Sequence, residues 1–126
     1  MHWGTEYLLT ADAKQTDIGH KLIDNGADVV FGSHPHVVEP VEVYKDRPIF
    51  YSLGNFVFDQ DFGDTTVGIA AGVEFQADKI KVSLYPFDIT KFKPTFMATA
   101  PATTFCGKIL TGINSTGCDF EIPIKK

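Results

Sequence analysis

The sequence predicts a strand-rich fold of α+β or α/β type, with sheets packed face to face and one or two helices against them. Three observations predict it. Aromatic residues are abundant, with eleven Phe, four Tyr and one Trp in 126 residues, and such side chains suit pleated, half-buried surfaces. A short helical pattern is followed at once by an apolar run, which is the order expected of a buried parallel strand. Two further stretches alternate apolar and polar residues across turn signals, as hairpins do. A chain of 126 residues supports one modest core, so the expectation is a single domain or a piece of one.

In chain order, His2-Trp3-Gly4 reads as the end of a strand, and Gly4 to Lys14 as a loop carrying Glu6 and Tyr7. Thr16-Asp17 offers a cap for a helix from about Ile18 to Asp24, with Ile18, Leu22 and Ile23 on its apolar face. Asn25-Gly26 closes it. Ala27 to Gly32 is the buried strand, and its end delivers Ser33 to His36 into a loop. That edge of an open α/β sheet is where ligands bind. Val38 to Tyr44 places Val41 and Val43 on one face and Glu42 and Tyr44 on the other. Lys45-Asp46-Arg47 turns the chain and Pro48 to Leu53 runs back, until Gly54-Asn55 breaks the strand. Phe56 to Asp64 is an aromatic and acidic loop. Val67 to Phe75 and Ile80 to Phe87 form a second hairpin, with Ile80, Val82 and Leu84 against Lys81, Ser83 and Tyr85. Further expectations are a strand near Lys93 to Thr99, a short helix from Thr103 to Leu110 and a last strand at Phe120 to Ile124.

Charge excludes one class of partner. A formal net charge of −5 and the lack of any basic run argue against nucleic acid. No stretch reaches the roughly 18 apolar residues of a membrane span, and Met1-His2-Trp3-Gly4 does not open as a signal peptide does. Cys106 and Cys118 form a disulfide if the chain is exported and stay free thiols in a reducing compartment; the sequence leaves both open.

The chemistry centres on His34-Pro35-His36. In an extended segment residues i and i+2 point the same way, so both imidazoles are expected on one side of the loop. Neutral imidazole is a common ligand for zinc, manganese and iron. A side-by-side pair suits two ions about 3.5–4 Å apart. Taken alone, the triplet reads more readily as a turn whose rings bond the backbone. Its place at a strand end, beside Gly32 and matched by His2 at another strand end, favours metal. His20 is expected on a solvated helix face without a catalytic role.

Three motifs in order carry a family resemblance: His2-Trp3-Gly4-x-Glu6-Tyr7; Leu22-Ile23-Asp24-x-Gly26-Ala27-Asp28-Val29-Val30-x-Gly32-x-His34-Pro35-His36-Val37; and Pro48 to Asp59, with Tyr51-Ser52-Leu53-Gly54-Asn55 at its centre. Over about residues 1–60 the chain resembles the C-terminal half of the CapA-type capsule, or poly-γ-glutamate biosynthesis, domain, which is related to the calcineurin-like metallophosphoesterases. The resemblance implies part of a β-sandwich flanked by helices, and a single partial domain over 1–126, motif-bearing to residue 60 and a strand-rich tail from 61. It implies divalent metal ions (Mn, Zn or Fe) in the intact domain, held by His2, His34 and His36. Glu6 and Asn55 become candidate catalytic residues, and Trp3 and Ser33 candidate substrate contacts, Ser33 standing where the family often has histidine.

The resemblance also implies a deficit. The superfamily's aspartate segments and its Asn-His pair precede the histidine matched by His2. The expectation is therefore a fragment of a metal-dependent, hydrolase-like protein, weak in metal and inactive on its own. The implied partners are an anionic polymer or phosphorylated substrate and capsule-assembly membrane proteins. The implied location is extracytoplasmic and membrane-associated, through an anchor upstream. The competing expectation is a non-catalytic, polymer- or partner-binding role in capsule assembly, with vestigial histidines.

Overall fold

The computed structural model describes residues 1–124, so the last two residues of the expected 1–126 unit lie outside the described ones. Helix α1 spans Ala13–Asp24. It starts a turn before the expected Thr16-Asp17 cap because Asp12 and Gln15 form a reciprocal capping box. The Asp12 carboxylate accepts from the Gln15 backbone at 2.8 Å, and the Gln15 side chain accepts from the Asp12 backbone at 2.9 Å. These two bonds satisfy backbone N–H groups at the helix start that no intrahelical carbonyl can reach. Gly26, at φ +99°, follows the last turn as expected.

Strand β1, Val30–Phe31, pairs in parallel with β3, Arg47–Phe50; β2, Val41–Tyr44, pairs antiparallel with β3. The sheet order is β1-β3-β2. Lys45 and Asp46 both take positive φ in the two-residue turn, the handedness that matches strand twist. This sheet is covered on both faces. Ile49, Tyr51, Val30 and Trp3 pack with Ile23 of α1. Phe50, Val41 and Val38 point the other way, into the main core. His20 is not solvated as expected. Its ring stacks on Tyr44 with centroids 3.8 Å apart, and its Nε2 meets Glu42 Oε1 at 2.9 Å.

The second sheet is built on β5, Lys79–Thr90, which pairs with β4 (Val67–Phe75), β6 (Lys93–Phe96) and β8 (Asp119–Pro123). β7, Ser115–Thr116, pairs with β8. Ile80, Val82 and Leu84 are buried in alternation, as the sequence pattern predicts. They meet Phe50 and Val41 of the first sheet in the main core. Helix α2, Thr99–Ile109, begins four residues before its expected start and adds Ile109 and Cys106 to that core. Cys106 and Cys118 are disulfide-bonded, which ties α2 to the turn between β7 and β8. The result is the strand-rich α+β architecture expected: α1, a three-stranded sheet, and a second sheet behind it carrying α2.

Residues 1–3 lie alongside β1. Ser33 N–H donates to Met1 O at 2.9 Å and Trp3 N–H donates to Ser33 O at 3.1 Å, a parallel bridge centred on His2. On the other side Gly32 N–H donates to Phe50 O at 2.7 Å. The Trp3 indole crosses over Gly32 to donate to Tyr51 O at 2.8 Å. A Cβ on Gly32 would sit 2.0 Å from Tyr51 O and 2.4 Å from Trp3 Nε1, so only glycine lets the three segments run this close.

Two outcomes follow. Gly32→Ala forces backbone apart and should cost about 3 kcal/mol of stability, read as a lowered urea midpoint; an unchanged midpoint would show that the close approach is not required. Alkylation of the unfolded chain should add mass at both cysteines only after reduction.

Candidate functional site

Three parallel segments end at the same sheet edge, and each delivers a candidate site residue there. The first carries His2. β1 leads through Ser33 to His34 and His36. The run beyond β3 leads to Asn55. The carboxyl ends of parallel strands leave unpaired backbone and a crevice, which is where α/β folds place their sites.

The His-Pro-His loop is not extended. His34 has φ +105° and His36 φ +63°, in a region that L-residues with a Cβ enter rarely. Tyr7, at φ +66°, is the third residue of this kind at the site. Among the described residues, the four remaining non-glycine residues with positive φ lie in the two-residue hairpin turns, Lys45-Asp46 and Lys91-Phe92. The two imidazoles do end up side by side, with ring centroids 6.1 Å apart, and the His2 ring lies 4.5 Å from that of His34. Backbone twist, rather than the i, i+2 alternation of a strand, brings them together.

Among the described residues, Glu6, His34 and His36 each place one ligand atom within 4.8 Å of the others. Glu6 Oε1 is 3.8 Å from His36 Nε2. Two ligands at about 2.0–2.1 Å from one tetrahedral ion stand roughly 3.4 Å apart, so this gap is close to that of a metal pair and too long for a hydrogen bond. The other nitrogen of His36, Nδ1, is 2.9 Å from Asn55 Oδ1. Asn55 is buried, and its amide nitrogen donates to Thr65 O at 3.2 Å and to Gln60 Oε1 at 3.0 Å. A backbone carbonyl can only accept, so the Thr65 bond fixes which way the amide points. Asn55 Oδ1 must then face His36, and Nδ1 must carry the ring proton. In the neutral ring Nε2 is then the nitrogen that offers a lone pair, on the side of Glu6.

The other expected residues take different positions. Trp3 is buried and its indole N–H is committed to Tyr51 O. Ser33 is exposed, with its hydroxyl donating to Met1 O at 3.2 Å. Beside the histidines, His2, Trp3, Asp12, Lys14, Gln15 and His34 line an open cleft.

Residues 1–60 match the family model described as bacterial capsule synthesis protein PGA_cap. Over these residues the chain is similar to a CapA-type capsule synthesis domain. The chain is 43% identical over 96 residues to the PGA biosynthesis protein CapA of Bacillus subtilis, covering 74% of this chain and 25% of that relative. It is 48% identical over 64 residues to the capsule biosynthesis protein CapA of Bacillus anthracis, covering 51% and 16%. A probable polyglutamine synthesis accessory protein of Mycobacterium tuberculosis is 36% identical over 61 residues, covering 48% and 16%. The chain thus spans a quarter or less of the length of these relatives.

Three features around the site escape sequence reasoning. Gln60 and Thr65 touch Asn55 only through the folded loop, and a backbone carbonyl leaves no motif. Glu39 is the third. It is buried in the core, with Oε2 accepting from Gln15 Nε2 at 2.7 Å and Oε1 without a hydrogen-bond partner among the described residues. The Asp-x-x-Gln spacing of the capping box was a legible signal for Gln15. Burial pushes the Glu39 carboxyl above its usual range; the Gln15 bond offsets part of the rise and the charge of Asp12 adds to it.

A raised carboxyl pKa means that the folded state holds the proton more tightly than the unfolded one. Glu39 therefore costs stability once pH exceeds the unfolded value of about 4.3, and the cost grows until the folded value is passed. Glu39→Gln should gain stability relative to wild type as pH rises from 4 to 7 in parallel urea titrations. A difference that stays flat with pH would contradict the assignment.

Proposed function

We propose that this chain serves capsule or poly-γ-glutamate synthesis as part of a CapA-type protein, and that His2, His34, His36 and Glu6 are the share of a divalent-metal site carried by this segment. The observation that carries the reading is the pair of contacts at His36: Asn55 holds the Nδ1 proton, and Nε2 faces the Glu6 carboxylate across 3.8 Å. A ring oriented in this way suits zinc, manganese or iron. When bound, the ion supplies a Lewis acid and an activated water.

The chain's own groups divide the remaining work. His34 and His36 present nitrogen ligands and His2 flanks His34. Glu6 offsets positive charge, and Asn55 fixes the His36 tautomer. Ser33, exposed next to His34, is the candidate substrate contact; Trp3 acts through packing, because its polar atom is already used. A dinuclear centre needs a bridging carboxylate and more ligands, supplied by other parts of the protein. A phosphorylated or anionic polymer substrate fits an ion better than it fits the chain itself, whose net charge is −5. Capsule-assembly membrane proteins are the partners this role suggests. The Cys106–Cys118 disulfide supports an extracytoplasmic location, since such bonds persist in oxidising compartments. Among the described residues no helix is long and apolar enough to cross a membrane, so membrane association would come through other segments or partners.

The test uses the full-length gene product. Metal analysis should find bound zinc, manganese or iron, and His34→Ala or His36→Ala should weaken metal binding at least about tenfold and remove phosphodiesterase activity on a chromogenic diester. Metal retained at wild-type affinity in His34→Ala sinks the proposal. Binding of poly-γ-glutamate by the metal-free protein would favour the non-catalytic role instead.

A further inference from the structure

We infer that Tyr7 and Gln60 are positioning residues for His36, closing a ring of contacts that fixes both its tautomer and its distance from Glu6. The inference rests on the metal reading above and adds to it two residues that no motif assigns a role. Gln60 Oε1 accepts from Asn55 Nδ2, so the amide nitrogen of Gln60 is turned to the other side. There it donates to the Tyr7 hydroxyl at 2.9 Å. The Tyr7 ring returns to the start of the circuit: it stacks on His36, with centroids 6.0 Å apart and planes 27° apart. Its backbone N–H donates to Pro35 O at 2.8 Å, inside the His-Pro-His loop. Phe62 packs edge-on against the outer side of Tyr7 at 5.5 Å, and Phe58 lies 5.0 Å from His36.

The polarity of this ring is set at one point. Thr65 O accepts from Asn55, which turns Asn55 Oδ1 to His36 and leaves its second N–H for Gln60. Each later donor and acceptor follows. Two consequences bear on the site. The Asn55 amide is pinned by two acceptors instead of one, so it flips less readily and the Nδ1–H form of His36 is favoured. Glu6 is the chain neighbour of Tyr7. Anchoring Tyr7 at both its hydroxyl and its backbone therefore holds the Glu6 carboxylate opposite Nε2. The Tyr7 backbone at φ +66° is a strained conformation that these contacts retain.

The test compares wild type, Tyr7→Phe, Gln60→Leu, the double variant and Gln60→Glu of the 126-residue chain. Zinc is titrated by calorimetry, and the neutral His36 tautomer is read by long-range ¹⁵N–¹H NMR without metal. Tyr7→Phe and Gln60→Leu should each weaken zinc binding about tenfold and raise the Nε2–H fraction, at nearly unchanged thermal midpoints. The double variant should be no weaker than the weaker single one, because both break the same ring. Gln60→Glu should retain wild-type affinity, since its carboxylate still accepts from Asn55 and the Tyr7 hydroxyl can turn to donate. Additive losses, or single variants with wild-type affinity and tautomer, overturn the inference. If the wild-type chain binds no zinc, the tautomer decides alone. An Nδ1–H form that shifts in both single variants supports the ring, and an Nε2–H form in wild type, or no shift, overturns it.

Discussion

The close approach of backbone at Gly32 is the constraint on which the rest depends. With no Cβ in the way, the Trp3 indole reaches Tyr51 O, and the segment through His2, the end of β1 and the end of β3 lie side by side. Because the three run parallel, their carboxyl ends fall at one edge. A histidine, a His-Pro-His loop and an asparagine, separated by up to 53 positions in the chain, arrive together. The apolar layers on either side hold that edge in place. Ile49 and Tyr51 face α1, and Phe50 faces the second sheet.

The second sheet does more than cover the first. Gly68, near the start of β4, pairs with Gly54, and a Cβ at Gly68 would meet Asn55 O at 2.1 Å. The asparagine that orients His36 is thus wedged between the two sheets, and its amide is directed by the turn that leads into β4. A half-buried set of polar groups links α1 to the first sheet. The Tyr51 hydroxyl donates to Glu42, whose other oxygen meets His20, and burial holds that hydroxyl well above its usual pKa. The helix and sheet are thereby joined by hydrogen bonds as well as by apolar contact.

Much of the fold was legible because its signals are local. Alternation gave both hairpins, Asn25-Gly26 gave the end of α1, and the run Val29-Val30-Phe31 gave the parallel strand. The start of α1 was misplaced because two capping patterns compete within five residues, and the Asp12 box satisfies the free backbone groups first. The proximity of His34 and His36 was expected from a strand geometry that the loop does not have; left-handed residues produce it, and histidine carries no signature for φ +105°. The Tyr7–Gln60 contact spans 53 residues and depends on how a loop closes, which no spacing encodes. The disulfide turned on compartment, which composition does not specify.

The family match ends at residue 60, yet the hydrogen bond that directs Asn55 comes from the main chain of Thr65. Every amino acid has that carbonyl. The group presented to the asparagine is thus main chain, while the buried Thr65 side chain donates its hydroxyl to Phe62 O and so holds the turn on its path. The contacts that orient the histidine therefore reach past the span that the family model describes.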